Sequence, residues 1–246
     1  MRGILLILMM VSFRMTAQSR FSDAELLFTG QKFEKAKPLF LAYLNTHPND
    51  LKTIEYLGDI AGHQKHWDQA IDYYTMLVTA EDSNANYHYK LGGALGMKSL
   101  AVSKFRALAI IDDVEFHFLK AATLDPNHID ARWALVELYV KLPAILGGTA
   151  KKALKYAEQL AQLSPVDGYL AKGFVYSNSN KLQLAEDNYL KALAVGGSVT
   201  CYQKLIDFYI ENNFQDKAAS VLKVGVDVHG RNSFPNQISR LKKQFD

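Results

Sequence analysis

A small residue followed by large apolar ones returns along this chain at a nearly fixed interval, and that interval limits the folds open to it. Ala36 precedes Phe40 and Tyr43, and Ala70 precedes Tyr74 and Leu77 at the same offsets. Offsets of four and seven lie on one face of an α-helix. The same arrangement returns at Ala153 with Ala157 and Leu160, at Ala185 with Tyr189 and Ala192, and more weakly at Ala218 with Leu222. A second series runs between these segments: Leu57-Gly58, Leu91-Gly92, Leu135-Val136 and Lys172-Gly173, each followed by a large or small apolar residue three positions after the second member. Glycine within a helix costs about 1 kcal/mol relative to alanine. Its return at one place in three of these four segments therefore marks helices that touch too closely for a side chain. Pro48, Pro126 and Pro165 stand at the ends of periods, where a helix must stop.

These paired helical segments, with their small residues and terminal prolines, resemble the tetratricopeptide repeat (TPR) family, whose helix-turn-helix unit spans about 34 residues. Ala36 and Ala70 are separated by that length. The resemblance covers nearly all of residues 18–246 and is sharpest over 51–84 and 166–198. It implies an all-α, right-handed superhelical solenoid of about six helix-turn-helix units in a single domain. The series begins near Ser22 and ends near Gly230. Ile238, Leu241 and Phe245, among Arg240, Lys242 and Lys243, then give the tail one apolar stripe. That stripe predicts a C-terminal capping helix, which a solenoid needs to cover its open end.

Two units depart from the period. Asp82 and Pro126 are 44 residues apart, ten more than the repeat, and the excess within Ser99–Val114 is apolar and predicts longer helices. Pro126 and Pro165 are 39 apart, and the excess falls at Leu142–Gly148, where a proline and paired glycines predict a wide loop. A long third unit followed by a Pro-x-x-x-Gly-Gly loop is similar to the class of periplasmic repeat proteins that includes the T component of TRAP transporters.

Met1 and Arg2 precede an apolar run of 11 residues, Gly3–Phe13. A membrane span needs about 20 apolar residues, so this run fits instead the apolar centre of a secretory signal peptide. Ala17 offers the cleavage site, which predicts export to the periplasm or beyond. Counting Arg2 and Arg14 out of the 28 basic residues leaves 26 against 25 acidic. Such a balance excludes the concentrated basic face of a nucleic-acid binder. Cys201 is the single cysteine, so there is no intrachain disulfide and no thiolate cluster, and its expected role is packing.

The resemblance implies a concave groove lined by positions 2, 5, 9, 12 and 13 of each first helix. Those positions give Tyr89 and Met97 in the third unit, Trp133 and Glu137 in the fourth, Leu170 and Phe174 in the fifth, and Asp207 in the sixth. Tyr89, Trp133, Leu170 and Phe174 would form an apolar strip flanked by Glu137 and Asp207. Aromatic anchors with a polar surround are the composition of peptide and protein recognition. The expectation is an extracytoplasmic scaffold or adaptor for a protein or peptide. The competing expectation is a small-molecule carrier or transport accessory with a pocket near the long third unit.

Chemistry finds little support. His63 and His66, with Asp68 nearby, fall short of the ligand set zinc requires and lie at an expected turn. Gly147-Gly-Thr-Ala-Lys-Lys152 lacks the phosphate-loop spacing, and Thr149 reads more simply as a helix N-cap. No nucleophile–base set, carboxylate pair or cofactor fingerprint stands out. The chain reads as a binding protein, not an enzyme, with no cofactor and no metal.

Overall fold

The computed structural model describes residues 21–245 and, among these, contains helices without a strand. The expected leader at 1–17 lies outside the described residues. After α1 at 21–29 come α2 (Phe33–Thr46), α3 (Leu51–His63), α4 (Trp67–Ala80), α5 (Ala85–Ala101) and α6 (Lys104–Leu124). They are followed by α7 (Ile129–Lys141), α8 (Ala150–Leu163), α9 (Pro165–Asn178), α10 (Leu182–Gly196), α11 (Val199–Glu211), α12 (Gln215–His229) and α13 (Pro235–Phe245). The helices form two compact units that meet in sequence between Pro126 and Asn127, with three hairpins in each and α13 closing the second.

Local chemistry explains why the chain breaks where it does. Each first helix from α3 onward begins at a side-chain cap. Asp50, Asn84, His128, Ser164 and Ser198 accept hydrogen bonds from backbone N–H groups of the following first turn. The turns inside the hairpins work differently. Gln31, Lys65, Asn180 and Asn213 adopt φ between 56° and 60°, and the next residue's N–H returns to a carbonyl five residues back at 2.8–2.9 Å. This left-handed turn serves four of the six hairpins. The other two are the hairpins carrying the extra residues.

The small residues sit where the helices press together. Ala36, Ala70, Ala153, Ala185 and Ala218 are completely buried in the second helices. A Cβ on Gly58 would fall 2.5 Å from Tyr74 Cε1, and one on Gly173 2.8 Å from Tyr189 Cδ1, two pairs with the same separation in sequence. Gly92 meets Phe118 in the same way at 2.9 Å, but that pair stands ten positions further apart along the chain. The whole excess therefore lies between Gly92 and Phe118 and leaves the packing in register. In the fourth hairpin the sizes are exchanged: Val136 stands at the glycine position, Ala157 at the aromatic one, and both are fully buried.

The excess appears as the sequence predicts. α5 has 17 residues and α6 has 21, against 13 or 14 in α3 and α4. The other insertion forms a loop with a short 3-10 turn at Ala144–Leu146, and Thr149 caps α8 through Lys152 N–H. Cys201 is buried at the start of α11, as expected of a packing residue.

Candidate partner-binding face

Within each unit, polar cross-links join first helices to the helix that follows in the stack, at spacings near the repeat length. In the first unit Lys90 of α5 donates to Asp59 of α3 at 2.6 Å, and Asn86 donates to Glu55 at 3.1 Å, both 31 residues apart. In the second, Trp133 Nε1 of α7 donates to Asp167 Oδ1 of α9 at 2.8 Å, 34 residues apart. Arg240 of α13 donates to Asp207 of α11 at 2.7 Å, and Gln237 reaches the same carboxylate at 3.2 Å. Asp59 and Asp207 share position 9 of their repeats, and each holds a cation from the helix that follows. α13 thus occupies the place that the first helix of a seventh repeat would take.

This arrangement revises the expected groove. Asp207 is a stacking contact, engaged by Arg240 and Gln237 rather than turned toward a partner. Gln203 likewise donates to the Ser233 carbonyl at 2.8 Å, and Ile210 is buried. Leu170, expected as an anchor on the open face, is only 5% exposed and belongs to the core shared with Leu205, Ile206 and Tyr209. Both corrections have one cause: the edges of α9 and α11 that face the next helix of the stack are covered by it.

The other expected residues stay nearer the surface. Trp133 is half-buried, its ring against that same core and its indole N–H fixed by Asp167. Glu137 is exposed and pairs within its own helix with Lys141 at 2.8 Å. Phe174 is half-buried on α9. Position 9 is thus a cross-link in α3 and α11, whereas in α7 it carries a carboxylate paired within its own helix and in α9 a phenyl ring. In the first unit, Tyr89 is half-buried against Phe118 with ring centroids 6.1 Å apart, and Met97 is 44% exposed.

Two clefts open on the described surface. One of about 760 Å³ lies between α12 and α13, with Leu222, Val226, Ile238 and Leu241 beside Lys223 and Lys242. Another of about 420 Å³ lies at the start of α2 beside His63 and Gln64. Neither includes Tyr89 or Trp133. Among the described residues no group of three or more His, Cys, Asp or Glu side chains could hold a metal ion. His63 stacks on Phe33, with centroids 4.5 Å apart.

Carboxylates recur as shared acceptors. Glu186 accepts from Tyr209 at 2.7 Å and Lys217 at 2.6 Å. Burial raises the Glu186 pKa, but those two donors outweigh it and hold the group below its ordinary value. Tyr74 donates to Asp59 at 2.7 Å, and burial with that neighbouring charge drives the phenol far above its usual range. These groups are spent on packing.

Known structures share this architecture. A tetratricopeptide repeat protein from Parabacteroides merdae ATCC 43184 superimposes with TM-score 0.66 at 12% identity, over 94% of this chain and 88% of its own. The chain has the tetratricopeptide-repeat fold. Two further TPR-like matches are PilW, described as a widely conserved type IV pilus biogenesis factor, and PilF of Pseudomonas aeruginosa. PilW gives TM-score 0.66 at 12% identity, covering 94% of this chain and 99% of its own. PilF gives 0.61 at 15%, covering 93% and 96%. No protein-family model matches the sequence, and no curated protein does. The likeness is one of TPR architecture.

Proposed function

We propose that this TPR protein is an extracytoplasmic scaffold that holds a polypeptide on the first-helix face of its second unit, with Trp133 and Phe174 as anchors and Glu137 as the flanking charge. The single observation behind this reading is the exemption of α7 and α9 at position 9. Asp59 and Asp207 are consumed in stacking, whereas Glu137 and Phe174 are not tied to the following helix. A fixed indole on α7 and a half-buried phenyl ring on α9 supply apolar area at low entropic cost, the property of interface hot spots. Tyr89, at the position of α5 that corresponds to Trp133, is a contact of the first unit in its own right, with Met97 further along that helix. Solenoids use such first-helix surfaces for polypeptide ligands. The fold shared with PilW and PilF agrees with that use. Export rests on the basic start, the apolar run and Ala17 of the leader; among the described residues no helix is long and apolar enough to cross a membrane.

The test is affinity capture from the native envelope with the wild type and with Phe174→Ala and Glu137→Lys, each verified as folded by circular dichroism. Loss of one hot-spot side chain lowers affinity by about 30-fold. A partner retained equally by both variants would move the site to another surface.

A further inference from the structure

The insertion in the third hairpin builds a tip that the preceding repeat does not cover. Gly96 of α5 lies level with Val114 of α6, 3.7 Å from the position a Cβ would take to Val114 Cγ1. Lys98 pairs with Asp68 at the first turn of α4, which marks the level at which the preceding hairpin turns. The residues between Lys98 and about Ile111 therefore project past that neighbour. Ten extra residues shared by two helices add about 7 Å, at 1.5 Å per residue.

The tip has the wrong composition for a solvated turn. Leu100 is 71% exposed and Phe105 87%, with Met97 and Leu108 also at the surface. Phe105, Leu108 and Ala109 fall on one side of α6 at offsets of three and four. Residues 99–111 carry Lys104 and Arg106 and no acidic residue, Lys98 being paired with Asp68, and Asp112, Asp113 and Glu115 follow only below this stretch. Exposed apolar side chains beside the cations Lys104 and Arg106 match an anionic lipid surface, where acyl chains receive the first and phosphates the second.

We infer that the α5–α6 tip inserts into the headgroup region of an anionic bilayer. Shape separates this occupant from a second protein copy. A stable protein interface buries about 800 Å² per partner, which a narrow projecting turn does not present to another folded surface. A bilayer closes around a projection from every side. The projection of about 7 Å also matches the 5–10 Å to which interfacial segments bury. The surface is distinct from the polypeptide-binding face, and either can fail without the other.

The test uses the full chain with Phe105→Trp and, as a control, Ile145→Trp, an equally exposed apolar position in the second unit at 92%. Vesicles of phosphatidylcholine alone are compared with vesicles containing phosphatidylglycerol. The expected result is a blue-shifted emission from position 105 with the anionic vesicles only, and no shift from position 145. Adding Lys104→Gln and Arg106→Gln weakens the transition about 30-fold. An unchanged emission at position 105, equal shifts at both positions, or a shift that grows with protein concentration without lipid would each overturn the inference.

Discussion

His88 and His117 meet nitrogen to nitrogen inside the third hairpin, their Nδ1 atoms 2.9 Å apart. His88 Nε2 lies 3.0 Å from the Asp82 carbonyl, which can only accept, so His88 carries its proton there. Its Nδ1 is then the acceptor, and His117 Nδ1 donates.

Burial, followed by the neighbouring His88, lowers the His117 pKa below its ordinary 6.5. The unfolded chain then binds more protons than the folded one between the lowered value and 6.5. The stability contributed by neutral His117 is complete above about pH 6.5 and is lost as pH falls through that window. Thermal unfolding from pH 7.5 to 5 should show the decline, and His117→Gln, which keeps a donor but does not titrate, should flatten it.

The close helix contacts predict opposite outcomes for neighbouring glycines. Gly58→Ala drives a methyl to 2.5 Å from Tyr74, and overpacking of this kind costs about 1–3 kcal/mol. Gly93→Ala meets nothing within 4 Å and should gain up to about 1 kcal/mol from helix propensity. Urea unfolding of both variants measures the difference.

The hairpin turns predict a gain. Lys65 holds φ at 59°, a conformation that costs a residue with a Cβ about 1–2 kcal/mol. Lys65→Gly should stabilise the first unit by about 0.5–1 kcal/mol once the greater entropy of unfolded glycine is subtracted. Lys65→Ala should give no such increase.

Asp207→Ala should loosen α13. The carboxylate receives Arg240 and the buried Gln237, and both contacts vanish together. Because Arg240 and Asp207 are partly exposed, the loss is about 1 kcal/mol. Hydrogen exchange should quicken over 235–243 well before it changes in α9.

Much of the architecture was legible because it is written several times over. The alanines of the second helices and the glycines opposite aromatics repeat at fixed offsets, so one copy checks another. The third hairpin hid its second helix from that reading, since Val114 stands where the others carry alanine. Pattern alone did not separate the roles of position 9. Asp207 and Glu137 are both carboxylates there, and only the helix that follows decides which is consumed: α13 brings Arg240 to the first, while Lys141 of the same helix takes the second. Leu170 was misplaced for a related reason, because its outward register ends against the next repeat. The extra length of α5 and α6 was visible; that its apolar side chains would stand clear of a core was not, because periodicity reports a face and not what covers it.

The claim on which the functional reading rests is that the α7–α9 face receives a polypeptide. A photo-reactive phenylalanine placed at Phe174 reports on it directly, with the same group at Leu190, an exposed position on α10, as the reference. The account predicts one discrete adduct from position 174 in the native envelope, reduced by Glu137→Lys, and none from position 190. Adducts from position 190 with none from 174 would contradict it.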